Sequence, residues 1–210
     1  MEFGVDEAGK GPALGSMFAA AVRAPRAALP DGIDDSKRLS DAKRESLAER
    51  IREDDRIDVG IAEITPARID AGNMNELTVA AHAEALSGVV RAGDMGVCDA
   101  GDVDADRFAE RVESRLAVDA TVTAEHGADA ADELVGAASI VAKSAREAHV
   151  ADLQTEFGDV GSGYPSDPTT RGFLAGYVDA NGELPSCARA SWSTCEDVLA
   201  AAEQSGLDDF

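Results

Sequence analysis

Lysine is the scarcest charged residue in this 210-residue chain: Lys10, Lys37, Lys43 and Lys143 stand against fifteen arginines. Acids outnumber bases 41 to 19, a formal charge of −22, and Asp exceeds Glu by 24 to 17. A generic acidic surface has no need of that bias. An Asp-rich, Lys-poor surface stays hydrated and self-repelling among dense counterions, so the composition points to adaptation to molar salt. The chain carries no basic stripe, yet the Debye length falls to about 3 Å in 1 M salt. Net charge therefore does not exclude a nucleic-acid partner.

Cysteine is confined to Cys98, Cys187 and Cys195, an odd count with no C-x-x-C pair. That excludes a disulfide framework and fits reduced thiols in the cytoplasm. The three histidines, His82, His126 and His149, have no metal-ligand spacing and are expected as surface or satisfied core residues. No apolar run approaches the length of a membrane span, and no charged-then-apolar leader opens the chain, so no membrane partner is expected. With 44% apolar residues in ordered runs, the acidity does not signal disorder. A single domain over 1–210 is expected, with residues from about 161 onward forming a helical part.

Several elements are legible from pattern. Residues 1–7 and 17–23 read as strands, as does the period-two run Ile57–Ile64. Ser40 is placed to cap a helix over 41–53. The stripe Leu77, Ala80, Ala81, Leu86, Val89, Val90 predicts a helix over 75–90 that Gly93 stops, with Asn75 as its cap and Asn73 beside it. A short strand ends in Asp99, a helix covers 104–115, and A-T-V-T-A-E-H makes another strand. Helices over 131–157, 168–179 and 192–204 complete a mixed α/β chain.

Carboxylates at strand ends stand out. Asp6 and Glu7 close the first strand, Asp99 closes a later one, and Asp129 precedes the small-residue helix. Adjacent strand residues point to opposite faces, so Asp6 and Glu7 reach one ion together only if the strand is ending there. Four such groups suit hard divalent cations such as Mg²⁺ or Mn²⁺. In a chain of 41 acids, a solvated surface is the competing explanation. Residues 4–10, G-V-D-E-A-G-K, also fit a phosphate-binding loop. However, the next residue is Gly11 where a hydroxyl should bind Mg²⁺, and two acids sit where N–H groups should cradle phosphate.

Taken together, D-E-A-G-K-G (6–11), D-S-K-R-L-S (35–40), Asp99 after its strand, A-D-A (128–130), A-A-S-I-V-A-K (137–143) and G-S-G-Y-P-S-D-P-T-T (161–170) resemble ribonuclease HII. The closing R-A-S-W-S-T (189–194) is similar to its archaeal branch. The motifs run through nearly the whole chain in family order. The resemblance implies a ribonuclease H-like α/β fold, a five-stranded mixed sheet flanked by helices with a C-terminal helical extension. It implies cleavage of the RNA strand of RNA–DNA hybrids and nicking 5′ of single ribonucleotides in duplex DNA, leaving 3′-hydroxyl and 5′-phosphate ends. These activities belong to ribonucleotide excision and DNA replication.

By the same resemblance Asp6, Glu7, Asp99 and Asp129 are the catalytic, metal-binding carboxylates, holding two Mg²⁺ or Mn²⁺ ions per site for two-metal hydrolysis. Asp132 competes with Asp129 for the fourth place, and family spacing back from Ser139 selects Asp129. Gly9, Lys10 and Gly11 match the turn that approaches the ribose 2′-hydroxyl, and Tyr164 matches the tyrosine packing at that sugar, the contact by which a protein tells RNA from DNA. Lys10 stands where the family usually has Arg: the charge survives but the planar fork does not, so junction recognition is either weaker or rests on the backbone alone.

Other residues keep two readings. Ser36 and Lys37 hold a DNA-strand phosphate or cap the next helix. Ser139 and Lys143, four apart on one helix face, touch substrate or a catalytic carboxylate, or merely pack. Arg189 and Trp192 contact the duplex backbone or belong to the core. A non-cleaving hybrid-binding protein and another nuclease or strand-transferase of similar fold are the competing functions. A monomer is expected, and a sliding clamp is a conceivable partner that the acidic tail Leu207-Asp208-Asp209-Phe210 does not support.

Overall fold

The computed structural model describes residues 1–33 and 39–208, with side chains through residue 204. Ser36 and Lys37 lie outside the described residues. In chain order the elements are β1 (Glu2–Ala8), β2 (Met17–Ala24), α1 (Asp41–Glu53), β3 (Asp58–Ile64), α2 (Pro66–Asp70) and α3 (Met74–Ser87). β4 (Met95–Asp99), α4 (Ala105–Glu113), β5 (Thr121–Glu125), α5 (Glu133–Phe157), α6 (Pro168–Asn181) and α7 (Ser193–Asp208) follow. The sheet order is β3-β2-β1-β4-β5, with β1 antiparallel to β2 and parallel to β4, and β4 parallel to β5. This is the five-stranded mixed sheet expected from the sequence, with helices on both faces and at the C-terminal end.

The chain gathers into two compact units. One comprises Met1–Ala8, Met17–Glu63 and Asn73–Arg146, and holds the sheet. The other comprises Gly9–Ser16, Ile64–Gly72 and Glu147–Phe210.

In the sheet unit, β2 is buried along its whole length, so its small side chains are covered on both faces. Ala20, Val22 and Ala24 share a core with Leu47, Ala48 and Ile51 of α1 and Leu134, Ala137, Ala138 and Val141 of α5. Gly4 sets how close α5 comes: a Cβ there would fall 2.2 Å from the Leu134 carbonyl carbon and the Val135 nitrogen. Two residues along that face of β1 is about 6.6 Å, and four along α5 is about 6 Å, so this close approach brings Asp6 level with Ser139. On the other face lies α3, whose His82 and Leu86 are fully buried.

Ser40 caps α1 by accepting from the Lys43 N–H, as the sequence suggests. At α3 the cap is Asn73, not Asn75: its carboxamide oxygen accepts from the Asn75 and Glu76 N–H groups. That helix ends at Ser87 with Gly88 after it; Gly93, with φ of 82°, belongs to the turn before β4. Val89 and Val90 continued the apolar stripe but pack as buried residues beyond the helix. Helix α2 is a five-residue element, capped by Thr65 and opened by Pro66, too short for periodicity to reveal.

In the helical unit, Leu14, Leu153, Val160, Leu174, Cys187 and Cys195 form the core, with Phe157, Phe173 and Trp192 packed against it. The Asp70 carboxylate of α2 accepts from the Ala190 and Ser191 N–H groups, both at 2.9 Å. The Gly9–Ser16 segment is pinned along its length. Ala13 N–H donates to the Gly163 carbonyl at 2.8 Å, Gly15 N–H to the Cys187 carbonyl at 2.8 Å, and Ser16 N–H to His149 Nε2 at 3.1 Å.

Candidate active site

The site begins where two parallel strands part. The β1–β4 ladder ends at Val5 opposite Cys98, and the residues after that pair are Asp6 and Asp99. Equivalent positions in parallel strands face the same way, so both carboxylates leave the α5 side. Contrary to expectation, β1 does not end at Glu7 but stays paired with β2 through Ala8. Glu7 therefore leaves the opposite side of the strand, where His82 Nε2 lies 2.8 Å from its carboxylate.

Asp6 is 5% exposed. Burial first, then the neighbouring Glu7 and Asp99 charges, push its carboxyl up to about 7, against the pull of a Ser139 hydrogen bond and the Glu7 N–H. Ser139 accepts in turn from Lys143 Nζ at 2.8 Å, so a lysine charge reaches Asp6 through one hydroxyl. Asp99 is likewise raised, by burial and by Glu7 and Asp129, while the Ala128 N–H donates to its Oδ1 at 2.7 Å and opposes the rise. That bond ties Asp99 to the short 3₁₀ turn Ala128–Ala130, which carries Asp129, itself buried. Cys98, fully buried between the strands, has its thiol pushed up by burial and then by Glu7, Asp6 and Asp99, so it remains protonated.

Although Glu7 leaves the far side of a strand that runs on to Ala8, its charge acts on both Asp6 and Asp99, and Asp129 acts on Asp99, so the four predicted carboxylates still form one interacting group in the sheet unit. Asp132 has other duties: it accepts from the Leu134 and Val135 N–H groups at the start of α5 and pairs with Arg26 at 2.7 Å. Among the described residues, no three His, Cys, Asp or Glu side chains are drawn together tightly enough to form a coordination shell by themselves. The donor chemistry nevertheless fits hard divalent ions: carboxylate oxygens are the ligands such ions take, and a cation relieves the repulsion among neighbouring carboxylates.

The helical unit holds the predicted sugar-recognition residues. Gly9 has φ of 85°, a conformation that disfavours side chains, and a Cβ added at Gly11 would sit 3.7 Å from Tyr164 Cε1. Tyr164 is 41% exposed. Arg189 does not reach a duplex. It is fully buried and donates to the carbonyls of Gly9 at 2.6 Å, Lys10 at 3.0 Å and Gly15 at 2.9 Å. Trp192 stacks at 5.1 Å from that guanidinium, and its indole N–H donates to the Gly11 carbonyl at 3.3 Å.

Sequence reasoning missed His82 as a partner of Glu7 and Arg189 as the brace of the glycine turn. The available signal for His82 was its place on the apolar stripe of α3, three residues after Val79 and four before Leu86. A buried arginine carries no such signal.

Comparison with known proteins follows the same lines. The family model described as Ribonuclease HII matches residues 3–195. The chain is similar to the ribonuclease HII of Haloarcula marismortui, a halophilic archaeon, at 66% identity over 100% of both proteins. It is similar in structure to ribonuclease H2 of Pyrococcus horikoshii, with a TM-score of 0.89 and 34% identity, covering 97% of this chain and 99% of that one. It is also similar to the ribonuclease HII of Archaeoglobus fulgidus, solved in complex with PCNA, with a TM-score of 0.83 and 37% identity over 100% of both chains.

Proposed function

The chain belongs to the ribonuclease HII family, salt-adapted and archaeal in type, and on that premise we propose how its own residues cut RNA joined to or paired with DNA. It is a nuclease, a phosphodiester hydrolase acting on RNA–DNA hybrids. The finer reading is that it nicks on the 5′ side of a single ribonucleotide in duplex DNA, leaving 3′-hydroxyl and 5′-phosphate ends. The observation that supports the hydrolase reading is the gathering of acids at the ends of β1 and β4: beyond burial itself, Glu7 and Asp99 act on Asp6, and Glu7 and Asp129 act on Asp99, a cluster of like charge suited to binding cations.

Asp6, Glu7, Asp99 and Asp129 would hold two Mg²⁺ or Mn²⁺ ions. Bound there, the ions supply an activated water and neutralise charge at the leaving oxygen. The remaining work belongs to the chain. Ser139 and the Glu7 N–H orient the Asp6 carboxylate, with Lys143 lending positive charge through Ser139. The Ala128 N–H orients Asp99, and His82 orients Glu7. Each acid thereby keeps one geometry before substrate arrives, which is what catalysis by positioning needs.

Discrimination falls to Gly9, Lys10, Gly11 and Tyr164, whose backbone N–H groups and phenol ring meet the ribose 2′-hydroxyl. The turn follows β1 directly in the chain, so Gly9, Lys10 and Gly11 stand a few residues after the first two acids. A sliding clamp is proposed as a protein partner solely because the Archaeoglobus fulgidus relative forms a complex with PCNA.

The deciding experiment is a cleavage assay in molar KCl with Mg²⁺ or Mn²⁺, on a DNA duplex containing one ribonucleotide and on its all-DNA counterpart, with product ends mapped. A nick 5′ of the ribonucleotide with a 3′-hydroxyl end, and no cutting of the all-DNA duplex, is expected. Tight binding without cleavage under every condition, or cutting of the all-DNA duplex, overturns the reading.

A further inference from the structure

Burying a guanidinium is expensive unless its donors are satisfied, and Arg189 spends three of its N–H groups on main-chain carbonyls of the Gly9–Ser16 segment. Two of these carbonyls belong to consecutive residues, Gly9 and Lys10. In a trans peptide the C=O and the following N–H point in opposite directions across the plane. Drawing the Gly9 carbonyl toward Arg189 therefore turns the Lys10 N–H away from it, and drawing the Lys10 carbonyl inward turns the Gly11 N–H outward. Pro12 comes next and has no N–H to offer, and the Gly11 carbonyl before it is held by Trp192. The Arg189–Trp192 pair grips the acceptor side of the turn, and its donor side faces away, with Tyr164 beside Gly11.

We infer that Arg189, seconded by Trp192, is the positioning residue for ribose discrimination: it aims the Lys10 and Gly11 N–H groups at the 2′-hydroxyl without touching the nucleic acid. This rests on the assignment of the turn to sugar recognition made above. It also explains how Lys10 serves where the family usually has Arg. With the turn's direction fixed from inside, the side chain at that position is not what defines the donors. A lysine in place of Arg189 keeps the charge but offers a point donor on a flexible stem, which cannot span Gly9, Lys10 and Gly15 together.

The test uses the full-length protein in molar KCl. The readout is the ratio of the inhibition constant of an all-DNA duplex to the KM of the same duplex with one ribonucleotide. Arg189→Lys should shrink that ratio by about tenfold through a higher KM, the loss expected when charge-assisted hydrogen bonds no longer hold a recognition element. The Mn²⁺ concentration for half-maximal activity should not change. Trp192→Phe, which keeps the stacked ring and loses only the indole N–H, should shrink the ratio in the same direction by less. If Arg189→Lys does not fold, the Trp192→Phe ratio decides alone. An unchanged ratio in the folded variants, with activity lost only in proportion to thermal stability, overturns the inference. Failure of the wild type itself to distinguish the two duplexes overturns the sugar-recognition assignment instead.

Discussion

The His82 imidazole lies 2.8 Å from the Glu7 carboxylate, on the opposite side of β1 from the Ser139 hydroxyl that serves Asp6. Two adjacent strand residues are thus each held by a different helix, α3 for Glu7 and α5 for Asp6. His82 is fully buried and stacks edge-on to Phe108 at 5.1 Å, so its ring has little freedom. Partners that orient a metal-binding carboxylate are worth about 10–100-fold in metal affinity or activity. His82→Phe should therefore raise the Mn²⁺ concentration for half-maximal cleavage by about tenfold. His82→Gln, which keeps a donor, should recover part of the loss. A metal-activation curve identical to wild type for His82→Phe would show that the contact only fills space.

Asp6 sets a conflict between stability and activity. Its carboxyl is pushed up to about 7 from an ordinary 3.8, so the metal-free fold favours the protonated form. Its contribution to stability is complete below the ordinary value and is lost as pH rises through about 7. Asp6→Asn should abolish cleavage, yet raise the melting temperature of the metal-free protein at pH 8 by about 2–5 °C. At pH 4 the two proteins should melt alike. Mn²⁺ should stabilise the wild type more than the variant, since a ligand stabilises the state that binds it. Calorimetry with and without chelator checks all three statements.

Ser139 pulls the other way on the same group, because its hydrogen bond favours the ionised Asp6. Ser139→Ala removes that bond, so the Asp6 carboxyl should rise further and the activity profile should move to higher pH. A pH–rate profile that drops uniformly, without moving, would assign Ser139 to packing alone.

At the other end of β4, just before its first residue, another buried carboxylate works with the opposite sign. Asp94 is 3% exposed; burial alone would raise it, but Arg23 at 2.6 Å, the Met1 amino group at 2.7 Å and the Arg91 N–H at 2.8 Å hold it well below the usual carboxylate range. Its stabilisation is present above the ordinary value of 3.8 and is lost as pH falls below it. Asp94→Asn leaves the buried Arg23 with Asp58 as its remaining carboxylate and should cost about 3 kcal/mol in denaturant unfolding at pH 7. The folded fraction should cleave as the wild type does.

Much of the architecture could be read in advance because local chemistry and tertiary packing agree. Ser40 caps α1 where its side chain says it should, and the two strands nearest the amino terminus form within a residue or two of the pattern. Disagreement came where packing overrode pattern. Val89 and Val90 extended the stripe of α3, yet the helix had already ended at Ser87, since buried residues outside a helix look the same as buried residues in it.

The acids were legible as a group, but their orientation was not. Whether β1 stops at Glu7 depends on β2, which keeps pairing through Phe18 opposite Ala8 while β4 diverges after Cys98. No local signal carries that. His82 and Arg189 escaped notice for a related reason: each is a polar side chain whose partner is far along the chain, 75 residues away for Glu7 and about 180 for Gly9. A sequence periodicity reports which face is buried, never what is buried against it.

The central claim is that Asp6, Glu7, Asp99 and Asp129 act as one cation-binding group. Equilibrium counting of bound Mn²⁺ tests it most directly, in molar KCl to suppress diffuse binding by the acidic surface, for the wild type and for Asp6→Asn, Glu7→Gln, Asp99→Asn and Asp129→Asn. Two ions per wild-type chain, with each single variant losing at least one, is the predicted result. Wild-type stoichiometry and affinity retained in Asp99→Asn and Asp129→Asn would contradict it.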